Sequence, residues 1–238
     1  MSGGTVELAV PEAGIGTLTL TGATPLNIFD LAMRDALIEA LAAVRDHPDV
    51  AVVVLRSAGK HFSAGADLRE FGALPSSMER RRVRWDRDPW TLLWELPQPT
   101  IVALSGVAMG AGLELALLCD LRLGTPDVVL SLPEPLLGML PSAGGTQSAV
   151  RALGASRALR LCLLADRLDA AQGQAEGILD KVCEDVDVAA LALARRVAGT
   201  PRPVLRAVRR LVHASLDRPL EEGLALERLL GGVHKSSR

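Results

Sequence analysis

The chain is poor in the residues that build disulfide or metal scaffolds. It has three cysteines and four histidines among 238 residues, and its formal charge is only -2. Cys119, Cys162 and Cys183 are odd in number, have no CxxC spacing and stand in apolar stretches. That pattern argues against a disulfide framework and for reduced thiols in a cytoplasmic protein. His47, His61, His213 and His234 are scattered without ligand spacing, so no metal site is expected. Acidic and basic residues are interspersed, which leaves no electrostatic footprint for nucleic acid or an anionic membrane. No GK[ST] sequence occurs, which removes the phosphate-binding P-loop. The N-terminus lacks a basic segment followed by an apolar one, and no secretory leader is expected. One basic cluster, residues 80–87, contains Trp85 and is flanked or interrupted by Glu79, Asp86 and Asp88; it reads as a solvated helix face whose arginines also suit a phosphorylated ligand.

What the chain does have is apolar residues, 49% of the total, enough to bury a large core in one domain with a small appendage. A strand over residues 17–21, a helix over 28–45 and a β-branched strand over 51–56 suggest a crossover unit of an α/β fold. Further strands are expected over residues 100–104, 128–132 and 178–183. Helices are expected through residue 153 and, capped by Ser156, to about residue 164. Residues 1–187 form the expected core. From residue 188 onward, Pro201, Pro203 and Pro219 divide a helical C-terminal region. Residues 101–119 are long enough to raise a membrane question, but glycines and Glu114 interrupt them, so a buried strand and helix fit better.

Glu114 stands inside that apolar run, just after Gly110-Ala111-Gly112, and Glu134 stands between Pro133 and Pro135. A carboxylate in an apolar setting takes up a proton or needs compensation, so both are candidate acid/base groups. The same spacing also fits a core glutamate that neutralises a neighbour and a second one on the rim of a turn. Ala64-Gly65-Ala66 and Gly110-Ala111-Gly112 place backbone amides where helices begin. Such amides can hold developing negative charge, each well-aimed donor being worth roughly 3 to 4 kcal/mol in a transition state. Small residues at such turns also simply permit close packing.

Taken together, HFSAGADLREF (61–71), GVAMGAGLELALLCD (106–120) and LPEPLLGMLPSAGGTQ (132–147) resemble three segments of the enoyl-CoA hydratase/isomerase, or crotonase, superfamily, in the family's order and spacing. The resemblance implies a spiral of repeated β-β-α units followed by a helical C-terminal region, and homotrimers or hexamers. It makes the amides of Ala66 and Ala111 an oxyanion hole, and Glu114 and Glu134 the catalytic pair. Ala64, Gly65, Ala66 and Leu68 would contact coenzyme A, with Gly110, Gly112, Gly144 and Gly145 as structural turns. Coenzyme A would enter as the handle of an acyl-CoA substrate, with no separate cofactor, no metal and no nucleic-acid or membrane partner. Two glutamates imply addition of water across a 2,3 double bond. A shift of a 3,4 double bond by Glu134 alone, another acyl-CoA reaction of the superfamily, and a non-catalytic binding component are the alternatives. The family's acidic-glycine C-terminal segment is not recognisable after Leu230, and Thr21-Gly22-Ala23-Thr24 replaces its usual lead-in before Pro25.

Overall fold

A computed structural model describes residues 3–73 and 88–235. The basic cluster of residues 80–87 lies outside them. The chain begins with an antiparallel hairpin, β1 (Thr5–Glu12) and β2 (Gly14–Thr21). Helix α1 (Leu31–Asp46) then crosses to β3 (Val50–Ser57), which pairs parallel to β2. Asp30 caps α1 by accepting the Met33 N–H, so the helix starts three residues later than its apolar periodicity suggested. β1 was not foreseen. It is the edge of the sheet, where Pro11 and a register shift between Ala9 and Glu12 are tolerated.

After β3, the chain makes isolated bridges at Ser63 and Ala66 and enters a short helix, α2 (Leu68–Ala73). Helix α3 (Pro89–Trp94) leads into β4 (Thr100–Leu104), β5 (Val107–Met109) and α4 (Ala111–Leu117). β6 (Leu121–Gly124), β7 (Val129–Ser131) and a 3-10 turn over Glu134–Leu137 repeat the pattern. Each turn thus gives one strand to a six-stranded sheet, in the order β1-β2-β3-β4-β6-β8, where β8 is the short strand Lys181–Val182. The next segment goes to a second sheet, where β5 pairs parallel to β7 and Ser63 bridges Ala108. This is the expected spiral of β-β-α units. The three-residue strand β5 is too short to show a period of two, so the sequence carries no local sign of it.

The remaining elements are α5 (Gly145–Leu153), α6 (Ala155–Leu164), α7 (Ala170–Glu176), β8 (Lys181–Val182), α8 (Val186–Ala198), α9 (Arg202–Ser215) and α10 (Leu220–Lys235). Gly154, at φ +77, ends α5 and caps α6, so Ser156 lies inside α6 and is not its cap. The uninterrupted VAVVVL run of β3 is explained by burial on both faces. Val53 and Leu55 join the main core with α1, whereas Val52 and Val54 pack with Ile101, Leu123, Ala190 and Ala194 under α8.

A buried polar knot fastens α9 to this core. Asp120 accepts the Thr100 N–H at 2.7 Å, the Thr100 hydroxyl at 2.9 Å and Arg209 Nε at 2.8 Å, with His213 Nε2 at 3.0 Å. Cys119 is buried, as expected of a core thiol, but Cys162 and Cys183 are only half-buried. No described helix is long and apolar enough to cross a membrane. Among the described residues no cluster of three or more His, Cys, Asp or Glu is placed to hold a metal ion.

Candidate active site

A cavity of about 990 Å³ opens between the turn before α2, helix α3, the start of α4, the 3-10 turn and the segment leading into α5. Its lining includes Ala64, Gly65, Ala66, Leu68, Gly110, Ala111, Glu114, Glu134 and Gly144, so the structure brings together residues that lie up to 80 positions apart in sequence. Gly112 and Gly145 stand just behind that lining and act through their lack of a side chain. A Cβ on Gly112 would come within 2.7 Å of Ser63 Cβ. One on Gly145 would come within 2.6 Å of Glu114 Oε1.

Ala66 and Ala111 each present an uncommitted backbone N–H. Ala66 forms a parallel bridge with Phe29, in which the Phe29 N–H donates to Gly65 O at 2.8 Å and Phe29 O accepts the Asp67 N–H at 3.1 Å. In that geometry the N–H of Ala66 points to the opposite side, where no described acceptor meets it. The neighbouring amides are spent within the turn: Ala64 N–H donates to Leu26 O, and Gly65 N–H to Ser63 Oγ. The expectation that this turn aims several amides outward thus narrows to one, and Ala66 lies two residues before α2 rather than at its first residue. Ala111 is the first residue of α4, so its N–H has no carbonyl one turn earlier to bond.

The two amide-bearing turns approach closely because of glycine. Gly65 has φ +98, and a Cβ there would lie 3.0 Å from Met109 O and 3.4 Å from Ala111 N. Gly110 has φ +52, and a Cβ there would lie 2.8 Å from Glu134 Oε1, which puts that carboxyl directly over the turn before α4. A larger residue at either position would push the converging groups apart.

The two glutamates occupy different environments. Glu114 is 2% exposed, one turn into α4, and its Oε1 accepts the N–H groups of Ala143 at 2.9 Å and Gly145 at 2.8 Å. The sequence left open whether this buried carboxylate is compensated; the turn around Gly144, at φ +96, folds two amides onto it. Glu134 is half-buried at the start of the 3-10 turn, and its Oε2 is sealed from water without a hydrogen-bond partner among the described residues. Burial pushes its carboxyl above the ordinary range, against a smaller opposing effect of its own backbone N–H.

Two features of the site were not read from the sequence. The amides of Ala143 and Gly145 clamp Glu114, although Gly145 had been assigned only to a turn. Trp90 on α3 lines the cavity and donates its indole N–H to Ala111 O at 3.2 Å. Its place in an apolar WTLLW segment gave no signal beyond core packing.

Comparison with known proteins agrees with this geometry. The family described as enoyl-CoA hydratase/isomerase matches residues 11–236. A mitochondrial enoyl-CoA hydratase domain-containing protein 2 of Bos taurus is 35% identical over 229 residues, 95% of this chain and 77% of that relative. A mitochondrial enoyl-CoA hydratase of Pongo abelii is 31% identical over 218 residues, 91% of this chain and 74% of its own length. The crystal structure of an enoyl-CoA hydratase from Bacillus anthracis superposes with a TM-score of 0.90 at 28% identity, covering 96% of this chain and 90% of that one. One from Mycobacterium smegmatis gives 0.91 at 25% identity, covering 98% and 91%. With its spiral of β-β-α turns and three motifs meeting in one cavity, the chain belongs to the enoyl-CoA hydratase/isomerase family.

Proposed function

We propose that the protein adds water reversibly across the 2,3 double bond of an enoyl-CoA thioester. The observation that carries this reading is the contrast between two carboxyls lining one cavity. Glu114 is clamped by two amides as an acceptor, and Glu134 is pushed toward its protonated form by burial. A carboxyl held as an acceptor beside one raised by burial divides the two into base and acid. Glu114 takes a proton from water as the water attacks C3, and Glu134 delivers a proton to C2. Negative charge grows meanwhile on the thioester oxygen, where the N–H groups of Ala66 and Ala111 hold it. In dehydration the two carboxyls exchange roles. Coenzyme A enters as part of the substrate, along the side of the cavity formed by Ala64, Gly65, Ala66 and Leu68, and its remote binding energy positions the acyl group. The chemistry needs no separate cofactor.

The assay offers crotonyl-CoA and a 3-enoyl-CoA separately to the wild type and to Glu114→Gln. Loss of the conjugated enoyl absorbance with crotonyl-CoA, reduced roughly 100- to 10,000-fold in the variant, is the expected result. Conversion of the 3-enoyl substrate alone, retained in Glu114→Gln, would replace hydration by isomerisation through Glu134.

The same reading includes a homotrimer or a pair of trimers. Val208, Val212, Leu216, Leu220 and Leu224 on α9, α10 and the turn between them are each more than 40% exposed, an apolar surface suited to burial between subunits. A solution mass showing only monomer at micromolar concentration would refute the assembly.

A further inference from the structure

The two N–H groups assigned to the thioester oxygen come from separate turns of the spiral, and something must fix their spacing. Trp90 touches both halves. Its indole N–H donates to the carbonyl of Ala111, the residue that carries one donor. Its ring packs against Phe29 with centroids 5.9 Å apart, and the backbone of Phe29 brackets Ala66, the residue that carries the other. Trp90 is 8% exposed, so neither contact exchanges with bulk water.

The short helix that holds Trp90 is itself braced from behind. Asp88 caps it by accepting the Trp90 and Thr91 N–H groups, each at 3.1 Å. At its other end Trp94 O accepts Arg209 Nη1 at 3.0 Å, and the Trp94 ring stacks on His213 with centroids 3.9 Å apart. Arg209 and His213 are both tied to Asp120. A helix this short would fray in isolation, but this one is capped at its start by Asp88 and pinned at its end to α9. The indole is therefore delivered to Ala111 from a fixed platform.

We propose that Trp90 is the positioning residue of the oxyanion hole: by holding Ala111 through its N–H and Phe29 through its ring, it sets the separation of the two donors. It touches no reacting atom. The inference rests on the acyl-thioester reading of the cavity. Donors aimed at a developing oxyanion act through preorganisation, and displacement of one of them lowers the rate more than it lowers ground-state binding.

The test is Trp90→Phe, which keeps a ring against Phe29 and removes the donor. A second variant carries benzothienylalanine at position 90, which replaces the indole N–H by sulfur at nearly constant shape. Two readouts are taken: kcat and KM for crotonyl-CoA, and the red shift in absorbance of cinnamoyl-CoA on binding, which reports polarisation of its carbonyl by the two donors. Both variants are expected to lose kcat by roughly tenfold, with KM within about twofold, and to show a smaller red shift. Unchanged kcat and red shift in the benzothienyl protein would overturn the proposal, as would a rise in KM alone, which would make Trp90 only a wall of the acyl site. Should the wild type turn over neither crotonyl-CoA nor a 3-enoyl-CoA, the proposed reaction fails, yet the cinnamoyl-CoA shift still decides the role of Trp90.

Discussion

Gly145→Ala separates the task of Glu114 from that of Glu134 without changing either carboxyl. A Cβ at residue 145 would stand 2.6 Å from Glu114 Oε1, 2.7 Å from its Cγ and 3.0 Å from its Cδ, all far inside van der Waals contact. Either the glutamate or the first turn of α5 must yield. The carboxyl loses at least one of its bonds to Ala143 and Gly145 and shifts by roughly 1 Å, a displacement that costs about 100-fold when the group must meet a water in line with C3. The fold should survive. Overpacking costs roughly 1–3 kcal/mol, and replacing glycine in a helix returns up to about 1 kcal/mol, so the melting temperature falls by only a few degrees. Hydration of crotonyl-CoA is followed by loss of the enoyl absorbance. In parallel, exchange of the C2 proton of a saturated acyl-CoA in D₂O, which needs only Glu134 and the two backbone donors, is followed by NMR. The expected outcome is a loss of about 100-fold in hydration with exchange retained within roughly threefold. Equal losses in both reactions, or normal hydration in a folded Gly145→Ala protein, would refute the clamp as the device that readies Glu114.

Glu134→Gln should abolish both hydration and C2 exchange by roughly 100- to 10,000-fold while acyl-CoA binding, measured by calorimetry, stays near the wild-type value. Because burial raises the Glu134 carboxyl in the folded state, its contribution to stability is full below its unfolded value near 4.5 and is lost as pH rises through the folded value; Glu134→Gln should remove that slope from a plot of unfolding free energy against pH. Asp120 shows the opposite sign. Its burial acts to raise the carboxyl, but His213, Arg209 and the Thr100 N–H outweigh this and hold it below the ordinary range. Its contribution is therefore present above the unfolded value and lost as pH falls through the folded one. Asp120→Ala leaves the buried Arg209 uncompensated and should cost about 3–5 kcal/mol in urea unfolding, with a flatter acid limb; a loss below about 1 kcal/mol would mean that α9 is held by its apolar contacts alone.

Much of the site was legible because its chemistry is written in backbone-shaping residues that sit close together along the chain. A glutamate four residues after Gly110 inside an apolar run, and another between two prolines, stand out from their neighbours as candidate acid/base groups. Glycines at residues 65, 110 and 144 do adopt positive φ, as the turns required. The β-branched run of β3 and the apolar run of β4 after Thr100 marked the centre of the sheet, because strands buried on both faces dispense with alternation. The spiral itself came from resemblance to a family, not from periodicity.

Other features depended on residues that are distant in sequence. β1 needs β2 to pair with, and β5 needs β7, so neither short nor edge strand could announce itself locally. The two carboxyls looked alike in sequence, both glutamates among apolar neighbours. Only the folding of the 143–145 turn onto Glu114, and its absence from Glu134, made one a stabilised acceptor and the other a carboxyl raised by burial. Trp90 and Arg209 belong to the same class: an indole in an apolar helix and an arginine in a basic one acquire their roles when the tertiary fold brings them to the carbonyl of Ala111 and the carboxylate of Asp120. Sequence determined which groups could move a proton and where the backbone could turn. Tertiary structure decided what each group faces, because hydrogen bonding and desolvation are properties of the surroundings and not of the residue.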